Sequence, residues 1–529
     1  MALNTPQLQF TNGESCKRWL ESLPLTNAQS AQAALTQQIA LVTQAKIAPA
    51  DLLGTLDALR EPVAFVQTEI ARKYTAKALP LEALEAALWT KSQALWQELI
   101  NSYQKCLDAH VKGDPGLRDQ GPLIVMRCLD YLSNAMYEYC RVYRQVPADL
   151  WQKLHQQYAC AEQGGFALAV VADSPGLQET ITSCTTAYCQ ALLLQLANPC
   201  ALSGRQMDLL ALWIGKWSGL VGLSPLSLPP SAIPALAVDI SSNAGPALAE
   251  GLAGLAGTRY LDLEQLGRAL RQLITQLKQG QTPAQLGLGE NARQPGCENL
   301  LMLLYIQWCR AGTGRSEPRK PTDEKAQVCL GMHAAHFYIS GRAFRAPGSG
   351  PTRQEQNNMQ MFGHVGERTQ RELASAASSA VESWQLVNQS GSGFMCMLRE
   401  PDAQLRIGHN QLVAVRRSAG KSFHLGIVQW LRVEENTELF AGVRLFPGNA
   451  RAITVRPANY NPSLGIKSFE RGLLLPELPP STPTTLVLPA GWYQAGRVIQ
   501  IHDDQKLDVK LVNLLERGSD FDRCTFGPV

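Results

Sequence analysis

The sequence predicts a multidomain α + β protein: a long all-α N-terminal region, then an antiparallel β-barrel, then a small C-terminal β unit. Three observations carry that reading. Leucines recur at helical spacing through residues 1–298, short alternating apolar runs bounded by polar turns take over beyond Arg310, and Pro/Gly-rich stretches separate these textures. A chain of 529 residues is also too long for one compact core. The expected divisions are 1–298 for the helical region, 310–455 for the barrel and 456–529 for the last unit.

In the helical region, Pro80 sits where a first helical turn tolerates it. Leu81, Leu84, Leu88, Leu95 and Leu99 follow with helical periodicity. Leu263, Leu266, Leu270, Leu273 and Leu277 mark a second helix, with Asp262 near its start, Lys278 near its end and Gly280 as its C-cap. The apolar stretch from Met207 to Leu223 is broken by Lys216 and two glycines, which suits a buried helix better than a membrane span.

Gly312, Thr313 and Gly314 form a flexible lead-in to the β region. Lys325 to Ile339 reads as extended, with Val328, Leu330 and Met332 on one face. Leu425–Leu431 and Phe440–Leu445 read as paired strands joined through the polar turn Glu434–Thr437. Between them, residues 345–380 break the strand texture and read as an insertion in a barrel loop. Its second part, 367–381, carries a possible short helix. Farther on, Val498, Ile499 and Ile501 lead into a turn at Asp503, and Leu507, Val509 and Leu511 return, which is a hairpin.

Composition excludes several classes. Charged residues make up 18% and the net charge is +3, too small for wholesale attraction to nucleic acid or anionic membranes, so any anion site must be local. Thirteen cysteines are dispersed without a CxxC pair, as in a reducing cytoplasm, where thiols act as apolar filler. The N-terminal residues lack the basic-then-apolar pattern of a signal peptide. No acid, base and nucleophile converge in sequence, so an enzyme is not expected. Cys184 and Cys189 lack a nearby histidine. His333 and His336, read as lying on a strand, fall on opposite faces and do not suggest a metal site. No cofactor or metal is expected.

Two short motifs stand out. Arg315-Ser316-Glu317-Pro318-Arg319 presents two guanidinium forks four residues apart. Asn388-Gln389-Ser390-Gly391-Ser392-Gly393 is a small polar turn opening into the apolar run Phe394–Leu398. A planar guanidinium can match a phosphate, match the O6/N7 edge of guanine, or stack on a base. The amide of Asn388 can read a base edge, Ser390 adds a compact hydroxyl, and glycine allows positive φ beside a ligand.

In that order, RxxxR then [D/N]xSxxG, the motifs resemble the PilZ domain, a small β-barrel receptor for cyclic di-GMP. The resemblance covers roughly residues 310–455 and implies a PilZ-like barrel that binds cyclic di-GMP through Arg315, Arg319, Asn388, Ser390 and Gly393. The halves are 69 positions apart, farther than in ordinary PilZ domains, and the 345–380 insertion accounts for the excess if it leaves the barrel and returns. Otherwise Arg368 and Arg371 become rival arginines. The wider layout resembles bacterial receptors of the FimW type, linked to type IV pili and surface attachment. It implies a cytoplasmic, non-enzymatic receptor with a protein partner on the helical region, no nucleic acid and no membrane span. Two alternatives stay open: a single-stranded nucleic-acid-binding barrel using Trp430 and Phe440 with Arg416 and Arg417, and a ligand-free interaction scaffold.

Overall fold

A computed structural model describes residues 7–173, 180–229, 235–310, 319–342, 344, 346–347, 381–390, 393–458, 469–477, 482–503 and 505–529. The chain forms two compact units, Met1–Lys77 with Leu81–Arg315, and Ala78–Pro80 with Ser316–Val529.

The first unit is mainly helical: α1 (Gly13–Leu20), α2 (Ala28–Gln44), α3 (Pro49–Ala71), α4 (Ala83–Val111), α5 (Gly121–Arg141) and α6 (Ala148–Gln163), then α7 (Cys184–Leu196), α8 (Gly204–Trp217), α9 (Glu264–Lys278) and α10 (Gly296–Cys309). Side-chain caps start several of them. Asn12, Asn27 and Ser183 each accept a hydrogen bond from a first-turn backbone N–H. In α4 the buried face carries Leu88, Ser92, Leu95 and Leu99, whereas Leu84 is exposed. Ser92 sits there because Gln32 donates to its hydroxyl at 3.1 Å and Gln67 to its carbonyl at 2.9 Å, a polar knot joining α2, α3 and α4. Pro80 precedes α4 rather than occupying its first turn. The apolar stretch from residue 207 lies mostly in α8, and no helix among the described residues is long and apolar enough to cross a membrane.

This unit is not all helix. β1 (Val171–Asp173) pairs with β2 (Thr180–Thr182). A four-stranded sheet of β3 (Gly222–Ser224), β4 (Leu236–Asp239), β5 (Ala247–Leu248) and β6 (Thr258–Asp262) has the order β3-β6-β4-β5. These strands are too short to show an alternating pattern in sequence. Asp173 ends β1 in a buried ion cluster: Arg60 donates to both its carboxylate oxygens at 2.5 and 2.6 Å, and Arg127 to one at 3.2 Å. Arg127 also pairs with Asp57.

The second unit holds two closed six-stranded barrels. The first comprises β7 (Lys320–Leu330), β8 (Val381–Gln389), β9 (Phe394–Arg399), β10 (Leu412–Arg417), β11 (His424–Val433) and β12 (Leu439–Leu445), closing in the order β10-β11-β12-β9-β8-β7. Helix α11 (Gly331–Ser340) follows β7 directly. The second barrel comprises β13 (Arg451–Pro457), β14 (Glu470–Leu475), β15 (Thr485–Pro489), β16 (Val498–His502), β17 (Lys506–Arg517) and β18 (Phe521–Pro528), in the order β13-β14-β15-β18-β17-β16. The paired strands expected near residues 425 and 440 are β11 and β12. The expected hairpin after Val498 is β16 and β17.

The extended reading of 325–339 holds only to Leu330. Gly331 has φ +81°, which ends the strand, and Met332, Ala335 and His336 then turn one helical face into the core. His333 is exposed and His336 buried, so their separation follows from the helix rather than from strand alternation. Met332 and Ala335 join one apolar cluster with Cys329, Leu412, Leu425 and Phe446 of the first barrel and Leu473, Leu475, Val487 and Phe521 of the second. The two barrels therefore share a core through α11. Residues 348–380 lie outside the described residues, and with them most of the expected insertion, its possible helix and both rival arginines.

Candidate ligand site on the first barrel

Arg319 immediately precedes β7, and β7 runs antiparallel to β8 with Pro321 opposite Asn388. Bulges interrupt the pairing between Pro321 and Glu324 and again between Leu386 and Asn388. Such irregularities re-aim side chains at the rim of a barrel. Here the Arg319 guanidinium donates through Nη1 to the Asn388 Oδ1 at 3.4 Å, a long hydrogen bond across 69 positions of sequence. The two motif halves thus meet at the mouth of the β7–β8 pair.

The turn after β8 is fixed by its last glycine. The Gly393 N–H donates to the Ser390 carbonyl at 3.3 Å, and its own carbonyl accepts from Leu445 N–H at 3.0 Å. Gly393 has φ +84°, and a Cβ there would stand 3.3 Å from the Cβ of Leu445. Both the left-handed backbone and the close approach of β12 call for glycine. Among the expected site residues, Arg319, Asn388, Ser390 and Gly393 are gathered at this turn. Arg315 lies outside the described residues, as do Gly391 and Ser392.

Strand register places several neighbours that the two motifs do not contain, among them Arg432, which the sequence reading missed. Arg417 at the end of β10 donates to the Gln389 Oε1 at 3.3 Å, bringing a further cation beside the turn. Arg416 is otherwise engaged: it pairs with Gln327 and covers the buried Phe423 ring at 4.9 Å. The guanidinium over Trp430 and Phe440 is that of Arg432, at 5.9 and 5.4 Å, so the aromatic pair expected beside Arg416 belongs to a different cation. Burial pushes the Cys396 thiol up, and the charges of Arg319 and Arg432 pull it part of the way back.

The remaining titratable groups have structural explanations. Burial pushes the Cys184 and Cys189 thiols up to about 12, which leaves neither as a thiolate nucleophile near neutral pH. No group of three metal-ligating side chains occurs among the described residues. The Nε2 of His336 bonds the Ile453 carbonyl at 3.2 Å in the shared core.

Three family models match the chain in order. The N-terminal domain of the cyclic-di-GMP receptor FimW matches residues 14–229, the middle PilZ domain of that receptor matches 236–382, and the FimW C-terminal β-barrel domain matches 460–529. The middle match contains residues 315–319 and stops six short of Asn388 (388 − 382). The cyclic-di-GMP receptor FimW of Pseudomonas aeruginosa is 24% identical, over 92% of this chain and 85% of its own length. No solved structure gives a significant match. With all three domain models matched in sequence order and a full-length relative aligned across them, the chain belongs to the FimW family of PilZ-domain proteins.

Proposed function

We propose that this protein is a cytoplasmic, non-enzymatic receptor for cyclic di-GMP, and that the ligand is held between the Arg315–Arg319 segment and the Asn388–Gly393 turn. The observation that carries the proposal is the Arg319–Asn388 hydrogen bond, which unites two motif halves that sequence alone leaves far apart. A guanidinium fork offers paired donors to a phosphate or to the O6/N7 edge of guanine. The Asn388 amide, close beside it, can exchange its bond to Arg319 for one to the ligand. The glycine turn keeps the approach open. Family membership supports the same ligand. By the same resemblance, the helical unit is the surface that passes the signal to a protein partner in pilus-linked attachment.

The test is titration calorimetry of the full chain with cyclic di-GMP, using cyclic di-AMP and GTP as competitors. A charge-assisted contact is worth about 1.5–3 kcal/mol, so Arg319→Ala should weaken binding roughly 10- to 150-fold. Arg319→Lys should recover little, because an ammonium lacks the fork. Unchanged affinity in Arg319→Ala would remove this site, and no binding by the parent chain would remove the receptor assignment.

A further inference from the structure

The outer face of the first barrel carries a row of residues that starts at Asn388 and runs beyond the two motifs. Trp430 of β11 stands opposite Gly442 of β12, Gly442 opposite Cys396 of β9, and Cys396 opposite Asn388 of β8. Directly opposed residues in an antiparallel sheet share a face. The alternate positions, Leu431, Ala441 and Met397, are fully buried and fill the barrel, so the Trp430-to-Asn388 row faces outward.

Gly442 determines how the indole lies. A Cβ at that position would stand 1.9 Å from Nε1 and 2.1 Å from Cε2 of Trp430. The ring therefore occupies the space a side chain on β12 would take, and leans across the sheet toward β9 and β8. Adjacent strands are about 4.8 Å apart, which puts the row position under the indole roughly 10 Å from that of Asn388. Glu434 holds Arg432 through its Nη2 at 2.7 Å, while the Nε of Arg432 is buried with no hydrogen-bond partner among the described residues. Phe440, opposite Arg432 on β12, completes the patch.

We infer that Trp430, with Phe440 and Arg432, forms a stacking shelf for one guanine of the bound dinucleotide, while the Arg319–Asn388 end engages its phosphates and second base. This rests on the receptor reading above and extends it by three strands. An aromatic face beside a guanidinium favours a flat, polarisable base over an aliphatic or purely anionic group. The shelf belongs to the same outward row as Asn388, so one ligand with two splayed bases and a charged centre meets both ends.

The experiment compares cyclic di-GMP binding by the full-length parent, Trp430→Ala, Trp430→Phe, Gly442→Val and Arg319→Ala, with thermal unfolding recorded for each. Trp430→Ala should weaken binding about tenfold or more, within the range found for loss of a base–aromatic stack, and Trp430→Phe should stay within roughly threefold. Gly442→Val, which keeps the indole but evicts it from its seat, should weaken binding as Trp430→Ala does. If Arg319→Ala loses binding while a folded Trp430→Ala and a folded Gly442→Val both bind like the parent, the shelf is wrong and the receptor reading stands. If Trp430→Ala unfolds, the Gly442→Val and Trp430→Phe results decide by the same criteria. If the parent does not bind, both readings fall.

Discussion

Acidification should loosen the joint between the barrels through His336. Its Nε2 donates to the Ile453 carbonyl on β13 at 3.2 Å, its Nδ1 is buried without a partner among the described residues, and the Phe344 ring meets it edge-on at 5.5 Å. A proton on Nδ1 would be a buried donor with no acceptor among the described residues. Burial accordingly lowers the imidazole from its ordinary 6.5 to about 4; the bond to Ile453 opposes this, and the charges of Arg471, Arg342 and His333 reinforce it. The folded protein thus keeps the ring neutral while the unfolded chain binds a proton. Stability from this group is complete above the unfolded value and is lost as pH falls toward the folded one. Linkage gives a loss of about 2 kcal/mol at pH 5, rising to on the order of 3 kcal/mol near pH 4. His336→Gln retains an N–H donor without the titrating proton. Hydrogen–deuterium exchange of β13 and β14 peptides, corrected for the intrinsic pH dependence of exchange, should show the parent losing that much protection relative to the variant between pH 7.5 and 5. Parallel pH profiles within about 0.5 kcal/mol would refute the reasoning.

Two further outcomes follow from the described contacts. Asp173→Asn leaves the buried Arg60 and Arg127 facing a neutral amide, and urea unfolding followed by helical circular dichroism should show a loss of about 3–5 kcal/mol. Burial alone would raise the Asp173 carboxyl, but the Arg60 hydrogen bond and the charges of Arg60 and Arg127 hold it below the ordinary range, so the parent should lose this contribution as pH falls through that lowered value. Gly393→Ala should cost about 1–2 kcal/mol because the turn needs positive φ, whereas Gly393→Asn should cost less; thermal unfolding compares them, and cyclic di-GMP affinity should fall in the same order.

How much of this was legible depended on the length of the signal. The helix at 264–278 and the pairing of β11 with β12 are written in local periodicity, and both are present. The two motif halves were readable as residue types, yet their meeting depends on the antiparallel register of β7 and β8, which no local pattern encodes. Strands of two to five residues within the helical region offer too few positions to alternate. Helix α11 was hidden because GMHAAHFYIS continues the apolar texture of β7; only the positive φ at Gly331 separates the two. Trp430 and Phe440 are readable in sequence as a possible stacking pair, but with Arg416 and Arg417 as their cations; that Arg432 lies over them and that Gly442 seats the indole depends on the neighbouring strand.

The strand that begins beside Arg319 ends, eleven residues later, in the helix wedged between the barrels. Cutting the chain after β12 would leave the wall formed by Cys329, Leu412, Phe423 and Leu425 without the hydrophobic lid that β14, β15 and β18 provide. The first barrel is thus not a portable cassette. The opening strand and the terminal barrel are built into one apolar cluster, so neither barrel's packing is complete without the other.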